Sequence, residues 1–319
     1  MTERVAEQFD ALVRAGSLDL PQPGSGATPE RHRRLFEIAR RDVAVARLAE
    51  AHADAVAILG EAGRRPRPGC AYGVWAADDP SATLTLRAAS DGGWRLDGEK
   101  AFCTGAGIVA RALLTVRTGT GVVLVDVDLQ RSTLTFDTSG WIASAFAETR
   151  TARATFGDHE LDAGDIVGPP GWYLDRVGFW HGACGPAACW AGGAAGLVDW
   201  MIESNAGRPA EPHRDAHAGA LVALCWRMAG LLDVAGREID HAPEDRPAAH
   251  ARALMVRHDI ERSATEVIDR LGRAMGPRPL AFDAPVARRV AEVQLYVRQH
   301  HAERDLEQLG RLVLDRAPD

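Results

Sequence analysis

The hydrophobic period changes twice along this 319-residue chain, and that change limits the fold more than any single motif. Between Asp42 and Ala62 the apolar residues Val45, Leu48, Ala55, Val56 and Leu59 recur at three- and four-residue steps, the spacing of one helix face. His52 falls on the same stripe and reads as a packed core histidine. From 69 to 168 the period becomes two. ATLTLRA, GWRLDG, ALLTVRT, GVVLVDVD, STLTFDT and ARATFG are short alternating or β-branched runs, separated by Asp-Gly, Gly-Gly and Thr-Gly turns. Such runs predict an antiparallel sheet or barrel of about 100 residues.

Beyond GPPG (168–171) the helical period returns. Leu221, Leu224, Met228, Leu231, Ala235 and Ile239 form one stripe; Leu254, Ile260, Val267, Leu271 and Met275 form a second. Val286, Val290, Val293 and Val297 form a third, and long helices with broad apolar faces predict an antiparallel bundle. Pro209–Pro212 and Pro243–Pro247 read as the loops between helices. Near the amino terminus, SLDLPQPGSGATPER reads as a loop ending in Thr28 as N-cap, with Pro29 at N1. The expected architecture is α+β and multidomain: a shortened N-terminal helical domain (1–68), a central antiparallel β domain (69–168) and a C-terminal antiparallel helical bundle (169–319).

Composition removes several classes of function. The chain is 46% hydrophobic and 25% charged, which is globular. It carries 37 basic against 44 acidic side chains with no basic run, which argues against nucleic acid as partner. No apolar stretch approaches the ~20 residues of a bilayer span, so no membrane is expected. Five cysteines without a CxxC pair predict neither a disulfide framework nor a zinc ribbon, and with an amino terminus unlike a signal peptide they point to the cytoplasm. His213, Arg214 and His217 stand beside Pro212 without metal-ligand spacing, so no metal site is expected. Lys100 is the one lysine among 37 basic residues, a bias in usage and not by itself a sign of catalysis.

Helices, a β domain and a helical bundle in that order resemble the acyl-CoA dehydrogenase superfamily, and local motifs agree. GWRLDGEKAFCTGAGIVARALLTV (93–116) is similar to that family's strand–turn–strand. GWIASAFAETRTARATFGDHELDAGDIVG (140–168) is similar to its next block, and CGPAACWAGGAAGLVDWM (184–201) to the small-residue helix opening its last domain. RLAEAHADAVAILGEAG (47–63) fits a subgroup with a Glu-Gly-His-x-Asp-Ala pattern.

The resemblance implies FAD lying between the β domain and the bundle. It places Phe102 beside the flavin ring and Thr104 near N5, with Cys103 between them and Gly-Ala-Gly (105–107) turning at the cofactor edge. A second flavin loop falls at YGVWAADDPSATL (72–84), which contains Trp75. Ala77 stands there where the family has a threonine, Asp78 where it has a glutamate, and Ser81 is the candidate for the pyrophosphate. The family's catalytic glutamate aligns with His300, flanked by His301 and Glu303. His300 lies seven residues beyond Val293, on the buried face of its helix if that helix continues. DRLGRAMG (269–276) resembles the helix that meets the adenine end of a neighbouring subunit's FAD, which implies a homodimer or homotetramer.

The implied function is an FAD-dependent oxidoreductase acting on an acyl thioester, carried by CoA or an acyl-carrier protein, with His300 as catalytic base. Two other readings stay open: a flavin-dependent monooxygenase on the same scaffold, which needs no α-proton base, and a non-catalytic binding relative.

Overall fold

The computed structural model describes residues 2–90, 92–130 and 133–315. Three helices open it: α1 (Thr2–Arg14), α2 (Thr28–Arg41) and α3 (Val43–Glu61). Strands follow as β1 (Tyr72–Trp75), β2 (Leu84–Ala88), β3 (Trp94–Cys103), β4 (Arg111–Thr118), β5 (Gly121–Asp128), β6 (Leu134–Asp137), β7 (Ala152–Leu161) and β8 (Ile166–Val167). The remainder is helical: α4 (Trp172–Asp175), α5 (Gly178–Gly182), α6 (Cys184–Asn205), α7 (Pro212–His241), α8 (Arg246–Met275), α9 (Arg278–Phe282), α10 (Ala284–Tyr296) and α11 (Glu303–Leu314). The expected class, N-terminal helices, a β region and a C-terminal helical bundle, is the class observed.

Packing divides the chain into two units. One joins the residues up to Asp19 to Leu48–Phe179; the other joins Leu20–Arg47 to the chain from Trp180 onward. The first unit holds two four-stranded sheets, ordered β1-β4-β5-β8 and β2-β3-β7-β6. All pairings are antiparallel except β1 with β4, which runs parallel from Tyr72↔Arg111 to Trp75↔Leu114. That departs from the wholly antiparallel expectation. β1 enters from α3 rather than from a hairpin, so nothing local reverses its direction. Ala55, Ile58 and Leu59 of α3 pack on Tyr72, Leu113, Leu124 and Val167 of the first sheet. His52 is buried beside them and its Nδ1 accepts the Tyr72 N–H at 3.1 Å, the packed role expected of it.

In the second unit α6 runs against α2, and its small residues are the reason they approach so closely. A Cβ on Gly192 would sit 2.1 Å from the Phe36 carbonyl oxygen, and one on Gly196 would sit 2.5 Å from that of Arg40. Glu211, Asp245 and Asp283 cap α7, α8 and α10 with their carboxylates, and Pro212 and Pro247 lie in first turns rather than in loops. The Thr28 expectation is corrected by one residue. α2 begins at Thr28 with Ala27 in the cap position, and the buried Thr28 hydroxyl donates to Asp240 at 2.5 Å. Asp240 also accepts the N–H groups of Gly26 and Thr28, so a carboxylate from α7 satisfies this helix start.

One helix bears on the membrane expectation without overturning it. α7 is long and apolar enough, by length and composition, to cross a bilayer, yet only 22% of that apolar stretch is buried. Alanine and glycine dilute its pattern, so it does not stand out as an apolar block.

Candidate functional site

In the first unit β3 does not run straight to its end. Lys100 pairs with Ala154 and Cys103 with Ala152, so one extra residue on β3 makes a bulge. Phe102 sits inside that bulge at φ +56°, in the left-handed region. A non-glycine residue there is strained by about 1–2 kcal/mol. The bulge turns the Phe102 ring outward: it is 51% exposed, while Ala101 and Cys103 on either side are buried.

The segment before β7 is strained in the same way. Phe146 (φ +59°) and Arg150 (φ +49°) bracket a single 3-10 turn at Ala147–Thr149. The two segments are joined: Gly105 N–H donates to the Thr149 carbonyl at 2.8 Å, and Ala106 N–H to that of Arg150 at 3.2 Å. The hydroxyls of Thr104 and Thr151 meet at 3.0 Å. Three of the five left-handed non-glycine residues among the described residues therefore lie in one hydrogen-bonded corner. Strain concentrated this way persists where surrounding contacts hold it, and such places are functional sites more often than chance. Phe146, Arg150 and Thr151 were not singled out from sequence. Phenylalanine and arginine are not turn formers, so their left-handed backbones leave no compositional mark.

The other expected flavin residues fall around this corner in different ways. Trp75 is buried, and its indole N–H donates to the Thr104 carbonyl at 2.9 Å, so it holds Thr104 in place and presents almost no surface. Cys103 is fully buried, its Sγ directed at the Lys100 carbonyl, and burial pushes its thiol up to about 12. Ala77 and Ser81 are exposed. Ser81 N–H donates to Asp79 at 2.8 Å, while its Oγ and carbonyl accept from Arg153 at 3.0 and 3.2 Å.

Lys100 supports the same loop from below. Its buried ammonium donates to the Thr115 carbonyl (2.9 Å) and hydroxyl (3.0 Å) and lies 3.6 Å from Asp78. The Thr115 hydroxyl in turn donates to the Ala76 carbonyl at 3.3 Å. Burial pulls the Lys100 ammonium below its ordinary range, and Asp78 opposes that shift.

In the second unit, the helix expected to carry His300 stops short of it. α10 ends at Tyr296, one 3-10 turn covers Val297–Gln299, and His300 takes an extended backbone. The residue is nonetheless buried. Its Nδ1 accepts the Ala302 N–H at 3.3 Å, and its Nε2 stands 3.7 Å from Asp305 with no hydrogen-bond partner. His258 of α8 faces it with ring centroids 5.6 Å apart, and Nδ1 of His258 is likewise unsatisfied. Burial lowers the His300 pKa, with Asp305 pulling the other way. A neutral imidazole whose Nδ1 accepts carries its proton on Nε2. The arrangement thus offers a hydrogen-bond donor and not the lone pair that a general base needs. His258 escaped the sequence reading because a lone histidine on a long helix carries no spacing signal. His301 and Glu303 are exposed; Asp305 accepts the His301 N–H at 3.0 Å.

Neither a protein-family model nor a curated protein sequence matches the chain. Its structure, in contrast, is similar to those of solved enzymes, two of them holding FMN. KijD3 in complex with FMN and dTDP-3-amino-2,3,6-trideoxy-4-keto-3-methyl-D-glucose superposes with a TM-score of 0.83 at 16% identity, over 98% of this chain and 87% of that one. TdsC from Paenibacillus sp. A11-2, with FMN and indole, gives 0.82 at 16% identity over 100% and 97%. The methanesulfinate monooxygenase MsuC from Pseudomonas fluorescens gives 0.76 at 16% identity over 100% and 97%. The chain therefore has the acyl-CoA dehydrogenase-like fold, in the form that these enzymes share.

Proposed function

We propose that this chain is a flavin-dependent monooxygenase acting on a small organic substrate, with FMN as its flavin. The observation that carries the flavin is the strained corner: an exposed aromatic ring on a left-handed residue, held by Thr104, Thr151 and the Trp75 indole. Its chemistry fits the group. Phe102 supplies a flat apolar wall, Thr104 a hydroxyl held by Thr151, and Ser81 with Arg153 a polar end for phosphate. When bound, reduced flavin supplies the two electrons that split dioxygen, one atom going to substrate and the other to water. The protein's part is to orient and to keep water out. His300 offers its buried, unsatisfied Nε2 as a hydrogen-bond donor to a polar substrate atom.

Monooxygenation is favoured over acyl thioester dehydrogenation because the place of the catalytic carboxylate holds His300, whose accepting nitrogen already binds Ala302 N–H. The FMN named with KijD3 and TdsC supports FMN over FAD. The fold resemblance and the exposed face of α7 further support a homodimer or homotetramer.

The experiment is a titration with FMN and FAD, then oxygen uptake with externally reduced flavin and indole or dibenzothiophene as probe substrates. FMN binding with product that incorporates labelled dioxygen is the expected result. Bleaching of bound flavin by an acyl-CoA under nitrogen would return the chain to the dehydrogenase reading. Failure to take up either flavin would leave a non-catalytic relative.

A further inference from the structure

A helix that stops leaves its last carbonyls without partners, and α10 with its closing 3-10 turn stops just before His300. α8 supplies a partner. Arg257 donates through one terminal nitrogen to the Gln299 carbonyl at 2.5 Å, and through the other to the Ala183 carbonyl at 3.1 Å. Gln299 directly precedes His300, and Ala183 directly precedes α6. The guanidinium also lies over the buried Trp190 ring of α6, 4.8 Å from its centroid. One turn further along α8, the buried Glu261 accepts from the Arg298 guanidinium. His258, next to Arg257, sets its ring 5.6 Å from that of His300. Three neighbours on one face of α8 thus hold the turn Val297–Gln299 and the ring that follows it.

We propose that Arg257 is the positioning residue for His300. By tying the Gln299 carbonyl to the start of α6, it holds the imidazole in the setting where Nε2 carries the hydrogen offered to substrate. This rests on the substrate contact given to His300 above and adds the group that maintains it.

Arginine suits the task. Two carbonyls on separate segments need donors that diverge at a fixed angle, which a planar guanidinium has and an ammonium lacks. Contact with the Trp190 face restrains the side chain further. Its charge acts in the same direction. His300 is faced by Arg257, His258 and Glu261 from α8 and by Asp305 from α11. Burial lowers the His300 pKa; Asp305 and Glu261 oppose that shift, while Arg257 and His258 add to it. Arg257 therefore favours the neutral ring, in which only one nitrogen holds a hydrogen. The Ala302 N–H on Nδ1 assigns that hydrogen to Nε2.

Ring-nitrogen NMR of the full chain with labelled histidine tests this, with His300 assigned through His300→Gln. Steady-state kinetics with reduced FMN run beside it. In wild type the His300 ring should show one fixed tautomer, with its hydrogen on Nε2. Arg257→Met should mix the tautomers and raise the pH at which the ring protonates. It should also raise KM for the probe substrate that turns over by up to about tenfold, the worth of one hydrogen bond, with kcat and FMN content little changed. Arg257→Lys keeps the charge but not the fork, so its ring signature and KM should lie between the two. The lysine variant decides the matter if Arg257→Met does not fold. A lower melting temperature with an unchanged His300 ring and KM would make Arg257 a packing residue and overturn the proposal. So would a wild-type ring with its hydrogen on Nδ1. A wild type that forms no product from labelled dioxygen would overturn the monooxygenase reading and this role together. Product from wild type, with a His300 ring indifferent to both substitutions, would overturn this role alone.

Discussion

The hydroxyl groups of Thr104 and Thr151, 47 residues apart in sequence, meet at 3.0 Å and lock the end of β3 to the start of β7. Thr151→Val keeps the shape and removes the lock. It should weaken FMN binding by up to about tenfold, the worth of one hydrogen bond, with a smaller effect on melting temperature. Fluorescence titration of FMN against both proteins reads the difference.

Phe102 allows stability and binding to be separated. Its left-handed backbone favours glycine, so Phe102→Gly should stabilise the apo-protein by about 1 kcal/mol. The same change removes the exposed ring and should lower flavin retention. A variant that melts higher yet elutes colourless is the expected outcome. One that melts lower and stays yellow would show that the ring packs for structure and not for flavin.

Acid should destabilise the fold earlier than its carboxylates alone would. Desolvation lowers His32 and His52 from 6.5 to about 4, a shift that the Leu232 hydrogen bond and Asp240 oppose at His32 and Asp19 opposes at His52. The unfolded chain therefore takes up these protons first. Stability is fully present above pH 6.5, falls as pH drops below it, and stops falling from this source near pH 4. Each ring contributes at most about 3 kcal/mol. Melting temperatures across this window check the sign, and His52→Asn should flatten the slope.

Lys100 and Thr115 should respond unequally to substitution. Thr115→Val leaves the buried ammonium with one acceptor fewer and should cost about 1–3 kcal/mol, whereas Lys100→Met removes the charge with its need for partners and should cost less. Urea titrations of both variants compare them directly.

How far the fold was legible depends on the range of the interactions involved. Period-three-and-four stripes around Leu254 or Val286 are local signals, and both became buried helix faces. The parallel pairing of Tyr72 with Arg111 is not local, and nothing in either segment announces its partner. α7 shows a related gap. Leu221, Met228 and Ile239 identify its buried stripe, but periodicity does not say that Trp226 on the other side stays in water. At the candidate site, motif likeness pointed to Phe102 and Thr104, whereas the buried settings of Trp75 and Cys103 emerge only from tertiary contacts. His300 was found as a residue and mistaken in its setting, because a helix end one turn early depends on the cap that follows.

The interleaving of the two units has a consequence for biosynthesis. α2 ends at Arg41, yet α6, which covers its Leu35, Phe36 and Ala39, begins only at Cys184. At bacterial or eukaryotic elongation speeds the ribosome needs roughly 7–30 s to make the intervening chain. Throughout that interval the apolar side of α2 is outside the tunnel without its partner. Nascent chains of this protein should therefore be held by a chaperone until the small-residue helix emerges, and slow codons between the two would lengthen that exposure.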